Sequence, residues 1–496
     1  MNTSHSSLID FKPLDTNTLQ NETSKAIDFL AKYYNDVETY PVRCQLEPGY
    51  LRELVSDCPP SLPESVDKII EDINTKIVPG LTHWQSPNFF AYFQANASNA
   101  GLLGELLCSG LNVVGFNWIS SPAATELETI VMDWMAKLLN LPQEFLFSGG
   151  GGGVMHGSTC EALVCTLAAA RDQALAKHGF EKITKLVVYS SDQTHFSFHK
   201  AAKLVGIPPQ NIRVLTTSSS QDFELSPLIL KTAIEADIAQ GLVPLYVCAT
   251  IGTTPSASID PIHGLGLVAR AYGAWLHVDA AYAGSACICP EYRHYLDGVE
   301  LVDSISMNPH KWLLSNMDCS CLWLKSPKTL VDSLSTKPEI LRNKATDFGD
   351  VIDYKDWQIA LSRRFRALKL WIVISRYGSV NLIAHIRSDI ELAKYFESLI
   401  ELNTSFELVV PRKFALVCFR LRPTGVDADG NVMNQKLLED INSSGEAYMI
   451  HAILSGTFTI RCAIGGSLTE KNHIDKLWNL IQDKATKRVE AAYIMH

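Results

Sequence analysis

The central part of this 496-residue chain alternates β-rich segments with helical patterns, and this alternation limits its fold more than any other feature. The β-rich segments are Leu186 to Ser190, Leu245 to Thr250, Ala274 to Val278, Ser304 to Met307 and Cys319 to Leu324. Strands separated by helices usually pair in parallel, because each helix carries the chain back across one face of the sheet. The pattern predicts an α/β fold with a mostly parallel central sheet and helices on both faces.

The sequence changes character on both sides of this alternating region, which we place at residues 94–370. Residues 1–93 are mainly helical in pattern, with apolar residues at helical spacing in Ser24 to Asn35 and in Ser65 to Ile77. Such helices cannot bury an apolar face alone, so they must lie on the core of their own chain or on a second subunit. Residues 371–496 combine helical patterns with strands at Ala415 to Leu421 and Phe458 to Ala463, which predicts a smaller α+β domain.

The composition argues against several classes of function. Lysine and arginine total 43 while aspartate and glutamate total 53, which gives a net charge of −10 and disfavours a general nucleic-acid or anionic-membrane binder. No apolar run approaches the roughly 18 residues that span a bilayer, and the N-terminus has no signal-peptide pattern. The 12 cysteines are scattered, and their spacing does not match common zinc sites. We therefore expect a cytoplasmic protein with reduced thiols, no membrane segment and no metal.

Polar, chemically useful residues follow four of the predicted strands. These endings are Ser191 to His195, Thr250 to Thr254, Asp279 to Tyr282 and Asn308 to Trp312. Ligands of open α/β sheets bind beyond the carboxyl ends of the strands, where such endings meet. The four endings therefore predict one site at that edge of the sheet.

A separate segment offers a site for an anion. The glycines of Gly149 to Gly153 lead into small and hydroxyl residues, and a strong helical run then continues to Arg171. Small residues at the start of a helix leave backbone N–H groups free to bind a phosphate, and here they are Ser158, Thr159 and Cys160. The segment does not match a dinucleotide-binding loop, which has a G-x-G-x-x-G pattern after a strand.

Together these residues supply each part of a pyridoxal-phosphate site. Lys311 in a sheltered site can form a Schiff base with the aldehyde of the cofactor. Asp279 can keep the pyridine nitrogen protonated, and His195 can stack on the ring. Thr250 and Asn308 are placed to contact ring substituents or the phosphate, and His310, next to Lys311, is also expected to contact the cofactor. Taken singly, Lys311 could be a surface lysine and Asp279 a helix cap, but the combination favours the cofactor site.

The Asn308 to Trp312 pentapeptide and the His277 to Tyr282 segment resemble the group II pyridoxal-phosphate decarboxylases. More narrowly, the chain is similar to plant aromatic amino-acid decarboxylases and aromatic acetaldehyde synthases, from Phe11-Lys12-Pro13-Leu14 through Arg461. The resemblance implies fold type I, with pyridoxal phosphate on Lys311. It also implies a homodimer with active sites at the subunit interface and interlocked N-terminal helices.

The resemblance also implies a pocket for an aromatic L-amino acid. The family's substrate-binding positions are occupied here by residues that are mostly apolar or aromatic: Thr82, Trp84, Phe93, Val114, Phe116 and His310. Ser362 matches a position typical of members that accept phenyl or phenol rings, whereas indole-accepting members tend to have glycine there. We therefore expect phenylalanine, tyrosine or dopa as the substrate. Arg461 resembles a family arginine near the site, but a structural salt bridge explains it nearly as well.

The resemblance places a catalytic loop at about residues 334–353, with Ile340 where true decarboxylases have tyrosine. That tyrosine works across the dimer and protonates the substrate carbon after carbon dioxide leaves, whereas isoleucine has no proton to give. Members with phenylalanine there are aldehyde synthases, in which molecular oxygen is the co-substrate. We therefore expect decarboxylation with oxidative deamination, which yields an arylacetaldehyde, carbon dioxide, ammonia and hydrogen peroxide. The alternatives are an amine-forming decarboxylase and a catalytically silent cofactor-binding homodimer.

Overall fold

The structure is a computed structural model that describes residues 12–336, 339–341, 344–348, 351–423 and 429–494. Its N-terminal segment contains helices α1 (Thr16–Asp36), α2 (Tyr50–Leu54) and α3 (Val66–Asp72), and a π-helical turn over Ile73–Ile77 follows α3. Asp15 caps α1 by accepting a hydrogen bond from the Asn17 N–H. Every residue of α1 is at least partly exposed in the single chain.

The central region forms the predicted sheet. Its strands are β1 (Gly152–His156), β2 (Leu186–Ser191), β3 (Ile212–Leu215), β4 (Val243–Thr250), β5 (Trp275–Asp279), β6 (Ser304–Met307) and β7 (Ser320–Leu324), in the order β1-β7-β6-β5-β4-β2-β3. Strand β7 runs antiparallel to both of its neighbours, and the other pairs are parallel. The predicted α/β class is therefore confirmed, with β1 and β3 as strands that the sequence pattern did not reveal.

Helices connect these strands and cover the sheet. They are α4 (Asn99–Leu111), α5 (Pro122–Leu138), α6 (Thr159–His178), α7 (Ser197–Leu204), α8 (Pro227–Ala239), α9 (Ile262–Tyr272), α10 (Pro309–Trp312), α11 (Pro327–Leu334) and α12 (Lys344–Phe348). Strands β2, β4 and β5 are buried on both faces, as expected for a sheet covered on two sides, whereas the edge strand β3 is partly exposed. In the described part of the chain, no helix has the length and apolarity needed to cross a membrane.

An irregular segment that we call the β1 cover, residues 353–363, lies along the outer edge of β1. The hydroxyl of Tyr354 donates to the carbonyl oxygen of Gly153 over 3.1 Å. Arg363 donates to the carbonyl oxygen of Met155 over 3.0 Å and forms a buried, two-pronged ion pair with Glu128. Glu128 in turn accepts the Met155 N–H over 2.8 Å. The cover thus satisfies backbone groups that a further strand would otherwise pair.

The C-terminal part has its own antiparallel sheet. Its strands are β8 (Phe406–Leu408), β9 (Leu416–Leu421), β10 (Ile450–Leu454) and β11 (Thr457–Ala463), in the order β10-β11-β9-β8, and its helices are α13 (Arg366–Glu401), α14 (Asn431–Ser443) and α15 (Lys471–Ile494). Helix α13 crosses the predicted boundary at residue 370 and contains a non-helical break at Gly378, whose φ of 67° suits glycine. Helical geometry is interrupted at Gly378, so α13 consists of one helix before this residue and a longer one after it.

Candidate active site

A cavity of about 240 Å³ opens at the carboxyl ends of the central strands. Its lining includes every residue that the sequence predicted to hold the cofactor: Ser158, Thr159, Cys160, His195, Thr250, Asp279, Asn308, His310 and Lys311. The four strand endings meet at this edge of the sheet, as predicted. They do so because β4, β5 and β6 pair in parallel and β2 pairs in parallel with β4.

Lys311 lies in the short helix α10, directly after β6. Burial lowers the pKa of the Lys311 ammonium group, and the negative charge of Asp279 partly opposes this shift. A lowered pKa increases the fraction of neutral amine, which is the form that attacks an aldehyde carbon. The environment of Lys311 therefore favours bond formation with an aldehyde cofactor.

Asp279 is the last residue of β5, where Thr250 and Ser306 are its partners on the neighbouring strands. The N–H of Ala281 donates to Asp279 Oδ1 over 3.0 Å, which fixes the orientation of the carboxylate. A buried carboxylate in this position can hold a proton on a pyridine nitrogen.

The start of α6 forms the predicted anion-binding end of the cavity. Ser158 is the N-cap residue in extended conformation, and its side chain forms no capping hydrogen bond. The hydroxyls of Thr159 and Ser320 donate to Asn308 Oδ1 over 2.9 and 2.7 Å, so that amide links the helix start to the end of β6. Because α6 has 20 residues, its N-terminus offers aligned N–H groups and a positive dipole end to a phosphate.

Thr250 gives a direct test of whether a polar cofactor fits this cavity. Its hydroxyl oxygen is buried and has no hydrogen-bond partner among the described residues. A buried hydroxyl without a partner is costly, and a polar ligand group in the cavity would satisfy it. Together with the Lys311 amine, the Asp279 carboxylate and the start of α6, this hydroxyl fits pyridoxal phosphate.

His195 is held by a residue that the sequence analysis did not identify. The Ser197 N–H donates to His195 Nδ1 over 3.3 Å, and the Ser197 hydroxyl lies 2.7 Å from the same nitrogen. Nδ1 is thus an acceptor, so the proton of the neutral ring is on Nε2. Burial lowers the pKa of His195, although the charge of Asp279 partly opposes this shift, and the lowered pKa favours the neutral ring. The sequence feature that could have revealed this contact is the hydroxyl residue two positions after the histidine.

Arg461 lies behind the wall of the cavity. Its guanidinium carbon is 5.2 Å from the centre of the Phe93 ring, and Nε donates to the carbonyl oxygen of Pro255 over 3.2 Å. Among the described residues Arg461 forms no ion pair with a carboxylate, and both of its terminal nitrogens are buried without a hydrogen-bond partner. The structural salt bridge considered from the sequence is therefore wrong for Arg461, because no carboxylate reaches it there.

The structure does not bring most of the predicted substrate-binding residues to this cavity. Phe93 and His310 line it, whereas the others lie outside its lining: Thr82, Trp84, Val114, Phe116 and Ser362. Trp84, Val114 and Ser362 are exposed in the single chain, and Ile340 is 90% exposed. Six positions of the predicted catalytic loop, 337, 338, 342, 343, 349 and 350, lie outside the described residues, as does Phe11.

Comparison with known proteins places this site in a family. The pyridoxal-dependent decarboxylase conserved domain matches residues 48–422. The phenylacetaldehyde synthase of Rosa hybrid cultivar is 56% identical over 482 residues, which cover 96% of this chain and 95% of that protein. Tyrosine decarboxylase 3 of Petroselinum crispum is 54% identical over 494 residues, which cover 99% of this chain and 96% of that protein.

A solved structure shows the same fold around the cofactor. The crystal structure of Oryza sativa TDC with PLP and tryptamine has a TM-score of 0.95 at 48% identity, and the match covers 96% of this chain and 99% of that one. The predicted fold type I and the assignment of pyridoxal phosphate are thereby confirmed. The chain belongs to the pyridoxal-dependent decarboxylase family, in the group that contains the plant aromatic amino-acid decarboxylases and aromatic acetaldehyde synthases.

Proposed function

We propose that this protein is an aromatic acetaldehyde synthase. It converts L-phenylalanine, L-tyrosine or L-dopa, with molecular oxygen and water, into the arylacetaldehyde, carbon dioxide, ammonia and hydrogen peroxide. The observation that carries the proposal is Ile340, which replaces the proton-donating tyrosine of the decarboxylases that this chain resembles. Relatives of both types match the chain at similar identity, so this single position, rather than overall similarity, supports the choice.

Bound pyridoxal phosphate supplies an electron sink for the negative charge that the departing carbon dioxide leaves on the α-carbon of the substrate. We assign the chain's own residues the following roles. Lys311 binds the cofactor, Asp279 keeps a proton on its ring nitrogen, and His195 stacks on the ring. The start of α6 holds the phosphate, with Asn308 and Thr250 beside it.

Ile340 lies in a short 3-10 turn, Glu339–Leu341, and its side chain points into solvent in the single chain. Helix α11 precedes this turn in the chain, and α12 and then the β1 cover follow it. We propose that the turn reaches the cavity of a second subunit, as the family resemblance implies. The exposure of Ile340, Trp84, Val114 and Ser362 supports this arrangement, because exposed side chains are available to line a pocket formed with another chain.

The second candidate is an amine-forming decarboxylase. Lys311, Asp279 and His195 suit both reactions, and the Petroselinum relative carries that name. The two candidates differ in the fate of the α-carbon, which is protonated to give an amine or oxidised to give an aldehyde.

Product analysis with each amino acid under air tests the proposal. We expect aldehyde, ammonia and peroxide in equal amounts with the carbon dioxide released, and oxygen uptake to match. Ile340→Tyr should direct the products toward amine by restoring a proton donor, whereas the control Ile340→Phe should continue to give aldehyde. Amine in quantity from the unaltered enzyme, without aldehyde or peroxide, would contradict the proposal. Absence of carbon dioxide release would instead indicate a silent cofactor-binding protein.

A further inference from the structure

Trp312, the residue after Lys311, is held by a buried carboxylate that is distant in sequence. Its indole Nε1–H donates to Asp389 Oδ2 over 2.7 Å. Trp312 is 1% exposed and Asp389 is 3% exposed, so this hydrogen bond is shielded from water. Asp389 lies on α13 beyond the break at Gly378, in the predicted C-terminal domain.

Trp312 is also the outer ring of a three-ring aromatic stack. Its indole lies parallel to the Tyr282 ring with the centres 4.9 Å apart, and Tyr282 lies parallel to the Phe93 ring at 3.6 Å. Tyr282 and Phe93 line the cavity, and Lys311 Nζ is 5.8 Å from the centre of the Phe93 ring. The stack therefore connects Asp389 with the wall that faces the cofactor lysine.

The buried carboxylate of Asp389 needs an explanation. Burial raises the pKa of Asp389, which shows that its charged form is costly there, whereas the nearby His385 and the indole N–H lower it. Among the described residues the indole is its hydrogen-bond donor, and His385 Nε2 lies farther away at 3.5 Å. A hydrophobic residue of similar size would avoid this cost. The carboxylate is therefore best explained by the hydrogen bond with which it orients Trp312.

We propose that Asp389 is a positioning residue for the cofactor site. By accepting the indole N–H it fixes the plane of Trp312. The plane of Trp312 fixes the orientation of the Tyr282 and Phe93 rings that stack on it. Through the short helix α10, it also fixes the position of the backbone that carries Lys311. Asp389 touches neither cofactor nor substrate. The C-terminal domain thereby controls how the cavity presents Lys311 to pyridoxal phosphate, whichever product the enzyme forms.

The test compares purified apoenzyme and holoenzyme of three variants. Asp389→Leu removes the acceptor, Trp312→Phe removes the donor, and Asp389→Asn retains an oxygen that can accept the indole N–H. We expect Asp389→Leu to weaken pyridoxal-phosphate binding about tenfold, as for a lost hydrogen bond to a charged group, and to reduce the visible circular dichroism of the bound cofactor. Asp389→Asn should recover most of the affinity. A double variant that combines Asp389→Leu with Trp312→Phe should bind no more weakly than the poorer single variant, because both substitutions remove the same contact.

Two controls separate positioning from stability. Asp237, on α8, is another buried carboxylate, which accepts a hydrogen bond from Tyr189 and pairs with Arg213. Asp237→Leu should lower stability without changing cofactor affinity, and His385→Gln should likewise leave cofactor affinity unchanged. If Asp389→Leu only lowers the stability of the apoenzyme and leaves cofactor affinity and dichroism unchanged, the proposal is wrong. Additive losses in the double variant would also overturn it. Should the Asp389→Leu variant fail to fold, Trp312→Phe decides by the same two measurements.

Discussion

Lys311 is protonated less readily than a lysine in water, because burial lowers the pKa of its ammonium group. The negative charge of Asp279, which lies in the same cavity, opposes this effect. A substitution of Asp279 should therefore shift the Lys311 pKa in a known direction.

Asp279→Asn removes the charge that raises the Lys311 pKa, so that pKa should fall further. Because the neutral amine reacts with the aldehyde, the rate of cofactor uptake by the apoenzyme should rise with pH through the Lys311 pKa. We expect the wild-type midpoint below the ordinary lysine value of about 10.4 and the Asp279→Asn midpoint lower still. Stopped-flow absorbance of pyridoxal-phosphate uptake across pH measures both. Asp303→Asn, before β6 at the opposite edge of the sheet, should leave the midpoint unchanged, and an upward shift in Asp279→Asn would contradict this account.

Residues whose role depends on the end of a strand could be predicted from the sequence. Lys311, Asp279 and Thr250 follow recognisable strands, and the geometry of parallel sheets brings such endings together. Ser197 and Asp389 could not be predicted in this way. Ser197 acts through a local backbone turn, and Asp389 acts through the packing of α13 against a residue 77 positions away.

At the scale of elements, the β1 cover joins the cofactor-binding sheet to the predicted catalytic loop. The Glu128–Arg363 ion pair is its buried anchor, and Arg363 also lies 4.5 Å above the Tyr354 ring. The sequence did not reveal β1 because its first residues belong to a glycine run that is typical of a loop. Its pairing with β7, together with the contacts of Met155 with Glu128 and Arg363, explains why this segment is extended.

Arg363→Met should destabilise the apoenzyme by about 3–5 kcal/mol, because it leaves the Glu128 carboxylate buried without its partner. The neighbouring Arg364 provides a matched control, since its ion pair with Glu105 is partly exposed. Arg364→Met should cost less than about 1 kcal/mol. Guanidinium titration followed by circular dichroism measures both apparent free energies of unfolding, and equal losses in the two variants would refute the anchoring role.

At the scale of the whole molecule, several features of the single chain fit a second subunit. Helix α1 keeps all its residues at least partly exposed, and most of the proposed substrate residues lie outside the cavity that holds Lys311. Sequence patterns could predict that the N-terminal helices need a partner surface. They could not show which surface, because the same apolar spacing suits the chain's own core or another chain.

Mixed dimers test whether Ile340 acts on the other subunit. Lys311→Ala chains should be inactive, and Ile340→Tyr chains should give amine. If the two are unfolded and refolded together, the Lys311 of an Ile340→Tyr chain would face the unaltered Ile340 of its partner. We therefore expect aldehyde to reappear in the mixture, with light scattering confirming a dimer. A mixture that makes amine alone would mean that the turn acts within its own chain.

The β1 cover also determines where this protein would begin to aggregate if it unfolded locally. If residues 353–363 detached, the carbonyl groups of Gly153 and Met155 would become free to pair with a strand of another molecule. Aggregation would then begin next to the predicted catalytic loop, before the central core of the sheet unfolds. The segment that anchors this loop is at the same time the protein's protection against edge-to-edge association.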